Sequence, residues 1–293
     1  MTGFSPDWLA LREPADHAAR DPGLVAALGC AMRDRASEDP VRVVDLGCGA
    51  GSNLRALAAH LGPAQAWTLV DHDPALLAAA RARLAAWAER VAEDGDGLVL
   101  HRGGARIAVR FRALDLAADP AAAFDERPDL VTAAALFDLA SEGWIAAAAG
   151  AVAGCGAVFY TALTYDGQES WTPAHPADAA IHAAFLAHQA GDKGFGPAAG
   201  PGATDALCRA FRAHGYAVET AASPWRLGPG EAALLRELAE GTARAAAETG
   251  RVAAAEAEVW GALRQAPGTG AVIGHRDLLA VPPRLGSAAG LSR

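Results

Sequence analysis

Short apolar runs recur along the chain, and residues at helical spacing separate them. The runs at 41–46, 66–70, 107–113, 130–136 and 157–163 end at turn or acidic residues and predict buried strands. Two helices are predicted within 5–37, one over 52–61, and a long amphipathic helix from Asp73-Pro74 to about Glu93. Strands that alternate with helices predict an α/β fold with a doubly wound, mostly parallel sheet.

The second half of the chain follows this pattern less strictly. Residues 98–101 and 107–113 predict a hairpin around Gly103-Gly104, 205–214 and 230–248 predict helices, and 216–222 and 271–281 predict strands. Residues 165–204 have no long period. Because there is no repeat or linker, we expect one domain over 38–285 with 165–204 as an insertion on its substrate side, a helical cover at 1–37 and a tail at 286–293.

Composition excludes several classes of function. The 293 residues carry a formal charge of −9, and Lys193 is the only lysine, so a nucleic-acid partner is disfavoured. The four cysteines have no C-x-x-C spacing, which predicts reduced thiols and neither a zinc nor a redox site. No basic leader with an apolar core begins the chain, and no apolar run is long enough to span a bilayer, so a cytoplasmic protein without a membrane partner is expected.

The most informative segment is Val43-Val44-Asp45-Leu46-Gly47-Cys48-Gly49-Ala50-Gly51-Ser52-Asn53. A strand that leads through glycines into a helix N-terminus lets a ligand approach bare backbone. Asp71 ends the next strand, where nucleotide-binding folds hold a ribose. The dinucleotide fingerprint requires a glycine where Ser52 stands, and Asp45 would repel a pyrophosphate, so a dehydrogenase is disfavoured.

With Asp45 before the glycines and Val70-Asp71-His72-Asp73-Pro74 after them, the chain resembles the class I S-adenosylmethionine-dependent methyltransferases. The resemblance is specific over about 38–163 and holds only in outline over 205–283. It implies a seven-stranded sheet whose antiparallel seventh strand is 271–281. A fold of this type that has lost its ligand is the alternative.

The resemblance implies a set of cofactor-binding residues. Asp45 would help to hold the ammonium, Asp71 would accept from both ribose hydroxyls, and the turn would contact methionine and ribose. His72 would lie against adenine or be a plain loop residue, and Asp115 would bind the adenine amino group or cap a helix. The full set is Asp45, Gly47, Cys48, Gly49, Gly51, Asn53, Asp71, His72, Asp115, Leu116 and Ala133.

Asp138 is the candidate catalytic residue. It follows the strand 130–136 and its small residues, at a position where similar small-molecule methyltransferases place a polar residue, often histidine. It would orient the acceptor or take its proton, and a capping aspartate is the alternative. No Asn/Asp-Pro-Pro-Tyr/Phe tetrad is present here, which disfavours methylation of amino groups in DNA or glutamine.

Aromatic and charged residues of 165–204 are expected to contact the acceptor, because loops after strands carry specificity in this architecture. A flat or cationic molecule would suit them, and a lid that only buries itself is the alternative. Arg12, in a helix that could close over the cofactor, would meet a carboxylate of the methionine or of the substrate, or lie on a plain surface helix. The candidate acceptor-binding residues are Arg12, Phe137, Tyr165, Trp171, His188 and Lys193.

The sequence therefore predicts a methyltransferase that uses S-adenosylmethionine, no metal, and a small-molecule acceptor. The alternatives are an enzyme that transfers another part of the same cofactor and a non-catalytic protein that only binds it. The acceptor, the methylated element and the oligomeric state are left open.

Overall fold

The computed structural model describes residues 4–35 and 39–283, and within them ten strands form one sheet. The strands are β1 (Val41–Leu46), β2 (Ala64–Asp71), β3 (Arg90–Asp94), β4 (Gly97–Arg102), β5 (Ala105–Ala113), β6 (Leu130–Ala134), β7 (Val158–Thr172), β8 (Ala217–Ala222), β9 (Trp225–Leu227) and β10 (Gly270–Val281). The helices are α1 (Pro6–Ala19), α2 (Pro22–Arg33), α3 (Ser52–Leu57), α4 (Pro74–Trp87), α5 (Glu142–Cys155), α6 (Asp178–Gln189), α7 (Ala203–Ala213), α8 (Ala232–Glu248) and α9 (Ala254–Leu263).

The strand order is β3-β4-β5-β2-β1-β6-β7-β10-β8, and β9 pairs with β10 off this path. Strands β5, β2, β1, β6 and β7 are mutually parallel, while β10 is antiparallel to both of its neighbours, β7 and β8. The predicted doubly wound sheet is confirmed, with β10 as its antiparallel strand. Strands β3, β4 and β9 enlarge the sheet beyond the seven strands expected.

Helices cover both faces of the sheet. One apolar cluster packs α2, α4, α6 and α8 against it, and the other packs α5 and α7 against the opposite face. The predicted helix starts are confirmed at Asp21 and Asp73, whose carboxylates accept from the backbone N–H groups of Leu24 and Ala75 at 2.8 Å. Among the described residues, no helix is long and apolar enough to cross a membrane.

The predicted helix from Pro74 to Glu93 is too long. Helix α4 ends at Trp87, and Ala88 adopts extended backbone angles that lead into β3. Strand β3 pairs with β4 around the turn at Gly95, so ladder hydrogen bonds override the helical tendency of this alanine-rich segment.

The expectation of an irregular insertion at 165–204 is also wrong in part. Strand β7 continues to Thr172 because it pairs with β10 along most of its length, and α6 follows. Helix α9 was not predicted. The proposed domain limit at 37/38 and the tail at 286–293 lie outside the described residues.

Candidate active site

The glycine turn lies between β1 and α3, at the carboxyl end of the parallel strands. Gly47, Gly49 and Gly51 have φ of 62°, 52° and 75°, which favour glycine. The backbone N–H of Cys48 donates to Val70 of β2 at 2.9 Å, which fixes the turn to the neighbouring strand. Burial raises the pKa of the Cys48 thiol, so this side chain fills space as a neutral thiol.

Asp71 lies against this turn as its position at the end of β2 predicts. Its Oδ2 accepts from the backbone N–H of Gly49 at 2.9 Å, and its Oδ1 accepts from that of Asp73 at 3.0 Å. These bonds hold the carboxylate beside the glycines with lone pairs left for a ligand. His72 follows it with a side chain that is 71% exposed.

The floor of the turn is a buried polar group. Asn53 donates to Asp45 Oδ1 at 2.7 Å and to Thr132 Oγ1 at 3.1 Å. Burial raises the pKa of Asp45 to about 7, against the opposing effects of Asn53 and of the charge on Arg20. Asp45 Oδ2 and Asn53 Oδ1 have no hydrogen-bond partner among the described residues, although both side chains are buried.

Asp115 and Leu116 follow β5 in a tight turn. Asp115 is exposed, and its Oδ1 accepts from the backbone N–H of Ala117 at 2.9 Å, a local capping bond. Leu116 is buried, and its carbonyl accepts from the indole of Trp144 at 2.7 Å. The capping alternative for Asp115 thus has a bond in the structure, while the adenine contact stays a prediction.

The neighbouring strands β6 and β7 carry two non-glycine residues in left-handed backbone conformation. These are Ala135, with φ of 52°, and Leu163, with φ of 61°. Ala133, the predicted cofactor neighbour, is fully buried in β6 two residues before Ala135. Strained backbone of this kind clusters at functional sites.

Helix α1 forms a roof over the glycine turn. The Leu9 side chain of this helix lies so close to the turn that a Cβ added to Gly49 would be 2.9 Å from it. Glu13 pairs with Arg55 of α3 through two hydrogen bonds of 2.7 Å, and His17 Nε2 lies 2.9 Å from Ser52 Oγ. Burial and the charge on Arg20 lower the pKa of His17, so this contact is between neutral groups at pH 7.

The far end of the roof is attached to β9. Arg12 donates to both carboxylate oxygens of Asp16, at 2.8 and 3.0 Å, and its guanidinium lies 4.8 Å from the ring centroid of Trp225. The Trp225 indole also donates to Asp16, at 3.0 Å. The Arg12 side chain is largely buried and is paired with a carboxylate of its own helix, so its contact with a carboxylate of the methionine or of the substrate stays a prediction.

Five residues from five segments, Arg12 of the roof among them, form a buried cluster, which we call the acceptor chamber. The backbone N–H of Tyr165 stabilises the charge of Asp138, and the ring centroid of Tyr165 lies 6.2 Å from that of His275. The His275 ring lies 5.0 Å from Trp225, on which Arg12 stacks, and the charge of Arg12 acts on both Asp138 and His275. Asp138 Oδ1 and His275 Nδ1 are buried without partners.

Burial fixes the charge states in the acceptor chamber. It raises the pKa of Asp138 to about 6, partly offset by hydrogen bonds and by Arg12. Burial and Arg12 lower the pKa of His275 to about 3. At pH 7 the carboxylate is therefore ionised and the imidazole neutral, so the chamber offers hydrogen-bond acceptors to a ligand that carries N–H or O–H groups.

Four predicted acceptor-binding residues do not reach this chamber. Phe137 packs in the core against Phe159 and Trp144. Trp171 packs against Trp260, eight residues beyond Leu163 along β7, roughly 26 Å of extended strand. At the end of α6, Lys193 donates to the carbonyl of His188 at 2.9 Å, and His188 Nε2 lies 3.1 Å from Glu248 Oε2 of α8. Of the six predicted acceptor-binding residues, only Tyr165 and Arg12 lie in the acceptor chamber.

Sequence reasoning missed Arg20, Trp225, His275 and Asp277. Each is at least nine-tenths buried near the site, although three of them are charged or titratable residues in apolar surroundings. A buried polar residue within a predicted core strand, as in Gly274-His275-Arg276-Asp277, is the signal that could have found two of them.

A groove of about 310 Å³ lies elsewhere, over the outer part of β7 and β10. Asp166, Gln168, Glu169 and Gly274 line it, and it meets the acceptor chamber only at His275. No residue of the glycine turn lines it. The groove is therefore separate from the turn, which α1 covers.

The residues at the glycine turn fit S-adenosylmethionine. Gly47 and Gly49 leave the backbone of the turn without side chains. A Cβ on Gly49 would meet Leu9, and a Cβ on Gly47 would meet Leu136. The unpaired oxygens of Asp45 and Asn53 can accept from an ammonium, and the unpaired N–H groups of Arg20 can donate to a carboxylate. Asp71 is placed for a diol. This donor and acceptor set matches an amino acid joined to a ribose.

Comparison with known proteins finds a family model that matches one part of the chain. Residues 43–155, from β1 to the end of α5, match the family model described as a methyltransferase domain. No curated protein matches the chain. Three similar solved structures have different descriptions and low identity.

A methyltransferase of Geobacter sulfurreducens in complex with S-adenosyl-L-homocysteine is 17% identical, with 97% of this chain and 100% of that chain covered and a TM-score of 0.46. A cyclopropane-fatty-acyl-phospholipid synthase-like protein of Lactobacillus casei is 16% identical, with 92% and 91% covered and a TM-score of 0.49. The magnesium protoporphyrin IX methyltransferase of Synechocystis is 13% identical, with 69% and 75% covered and a TM-score of 0.42.

Proposed function

We propose that this chain, whose residues 43–155 match the model of a methyltransferase domain, is a class I S-adenosylmethionine-dependent methyltransferase that methylates a small molecule bound in the acceptor chamber. The observation that carries the proposal is the buried cluster of Arg12, Asp138, Tyr165, Trp225 and His275. Such a cluster, closed by α1, accommodates a compact molecule more readily than a polymer.

The chamber favours a nitrogen or oxygen acceptor. When bound, the cofactor supplies an electrophilic methyl group on a sulfonium. Asp138 is ionised at pH 7 with Oδ1 unpaired, so it can take the proton of an N–H or O–H group as the new bond forms. Neutral His275 can accept a second hydrogen bond, and the rings of Tyr165 and Trp225 supply flat apolar walls.

We assign the cofactor to the glycine turn. Asp71 is proposed to hold the ribose, Asp45 and Asn53 the ammonium, and Arg20 the carboxylate. Gly47, Cys48, Gly49 and Gly51 are proposed to supply backbone contact, and His72, Asp115, Leu116 and Ala133 to surround the adenine and methionine parts. Positioning of the reactants is the main catalytic device in this arrangement.

The test is a methylation screen with the purified protein and methyl-labelled S-adenosylmethionine, read by mass spectrometry against a metabolite pool. A product that gains one labelled methyl group, and whose formation needs Asp138, supports the proposal. A product that gains another part of the cofactor would show that the enzyme transfers that part and not the methyl group. Tight cofactor binding with no product from any pool would identify a protein that only binds the cofactor.

Asp71→Ala is expected to weaken binding of S-adenosylhomocysteine by about 1.5–3 kcal/mol, roughly ten- to a hundredfold, the range of hydrogen bonds to a charged group. Calorimetry on the folded variant measures this directly. Asp129→Ala is the matched control, because Asp129 accepts from the backbone N–H of Arg42 at 2.9 Å at the opposite edge of the sheet. Equal affinities for the two variants would remove Asp71 from the site.

A further inference from the structure

Asp277 of β10 joins three segments of the chain beside the cofactor site. Its Oδ1 accepts from the backbone N–H of Leu163 at 3.0 Å, and its Oδ2 accepts from the Tyr160 hydroxyl at 3.2 Å and from the backbone N–H of Asp21 at 3.0 Å. The side chain is fully buried, and no ion pair within 4 Å is found for it among the described residues. Hydrogen bonds therefore compensate its buried charge.

Two of these donors are backbone groups in special positions. Leu163, within β7, is one of two left-handed non-glycine residues in the described part of the chain, and the other, Ala135, directly follows β6, so Asp277 holds strained backbone next to the site. Asp21 is the N-cap of α2 and lies immediately after the last turn of α1. The bond to Asp21 thus fastens the joint between the two N-terminal helices to the sheet, across 256 residues of sequence.

Arg20 is the residue at this joint. It is 8% exposed, and its Nε and Nη1 have no hydrogen-bond partner within residues 4–35 and 39–283. Its charge acts on Asp45 at the floor of the glycine turn and on the Tyr160 hydroxyl, which Asp277 also contacts. Tyr160 therefore lies between the guanidinium and the Asp277 carboxylate, and Asp277 fixes the backbone neighbour of Arg20.

From this geometry we propose that Asp277 is a positioning residue for cofactor binding. It acts through Arg20 and the α1–α2 joint, not by contact with the ligand. Asp277 holds the joint so that the N–H groups of Arg20 meet the ligand, and it holds Leu163 in its left-handed conformation within β7. The proposal rests on the proposed cofactor site, and it predicts that cofactor binding and closure of the roof are linked through one carboxylate on β10.

The test compares Asp277→Asn with wild type. An asparagine has nearly the same shape, but it has a single acceptor oxygen and cannot serve Leu163 on one side and Asp21 with Tyr160 on the other. We expect calorimetry to show at least a tenfold loss of affinity for S-adenosylhomocysteine. We also expect hydrogen–deuterium exchange to show that S-adenosylhomocysteine protects the backbone amides of residues 9–28 in wild type. At saturating ligand, this protection should be absent in the variant.

Tyr160→Phe is the second variant, and Tyr216→Phe is its matched control. Both hydroxyls are buried, but that of Tyr216 donates to the carbonyl of Ala157 at 3.0 Å on the other side of the sheet. Tyr160→Phe should weaken binding two- to fivefold and reduce the ligand-dependent protection, while Tyr216→Phe should alter neither. If Asp277→Asn does not fold, this pair decides the outcome.

A purely structural role for Asp277 would lower the melting temperature and leave both readouts unchanged. Wild-type affinity together with wild-type protection of residues 9–28, in Asp277→Asn or in Tyr160→Phe if the former is unfolded, would overturn the inference. Failure of the proposed function has a different signature, because the wild-type protein itself would then not bind S-adenosylhomocysteine.

Discussion

Asp138→Asn is expected to lower methyl-transfer turnover about a hundredfold, the lower part of the range for loss of a general base. The amide cannot take a proton, while its size leaves the Tyr165 contact in place. Wild-type kcat/KM should fall below about pH 6, because burial raises the pKa of Asp138 to about 6 and the protonated carboxyl cannot act as a base. The residual activity of the variant should lack this dependence.

The same substitution is expected to change the pH dependence of stability. A carboxyl whose pKa is raised by folding favours the folded state when protonated, so its contribution is lost as pH rises through about 6. The melting temperature of Asp138→Asn relative to wild type should therefore increase between pH 4 and pH 8. Asp45 titrates in both proteins, and its effect cancels in the difference.

Asp119→Asn is the control for both measurements, because Asp119 is exposed and caps a short helix through the N–H of Ala121. Turnover of Asp138→Asn within threefold of wild type, with the acid limb of the profile intact, would assign the proton transfer to another group. In that case His275, the other unpaired group of the acceptor chamber, is the residue to substitute next.

Gly49→Val is expected to abolish cofactor binding, with at least a hundredfold loss of affinity in calorimetry. Gly49 has φ of 52°, which a β-branched residue adopts only with strain, and a Cβ would lie 2.9 Å from Leu9 of the roof. The side chain would also occupy the space that the ligand needs above the turn.

Gly95→Val separates strain from ligand contact. Gly95 has φ of 56°, almost the same as Gly49, but it lies in the β3–β4 turn and a Cβ there has no neighbour within 4 Å. Both variants should lose similar stability from the backbone, while only Gly49→Val should lose binding. Retained binding in Gly49→Val would mean that the glycines serve only to make a tight turn.

The fold could be predicted largely because its signals are local. The run 43–53 contains the end of β1, the turn and the start of α3, and Asp73-Pro74 marks the start of α4. Each signal concerns neighbours in sequence, such as a glycine that allows positive φ or a carboxylate that caps a helix. The position of the glycine turn was predicted for the same reason, and its contacts with the cofactor stay a prediction.

The elements that sequence reasoning missed depend on distant partners. Strand β7 extends to Thr172 because β10, about a hundred residues later, pairs with it. The acceptor chamber was found only in part because Tyr165 and His275 become neighbours through that pairing. Trp171 was predicted as an acceptor contact from its chemistry alone, whereas its neighbour in space is Trp260 of α9.

The position of β10 between β7 and β8 also determines when the site is complete during synthesis. Strands β1, β2, β5 and β6 can form the glycine turn and its floor as soon as residue 134 has left the ribosome. The joint at Asp21, made first, has no anchor until Asp277 is made near the end of the described chain. Contacts of such long sequence separation form late in folding. A nascent chain would therefore carry a cofactor cleft whose roof is attached through Glu13 and His17 to α3, and insertion of one strand would complete the attachment of the roof in a single late step.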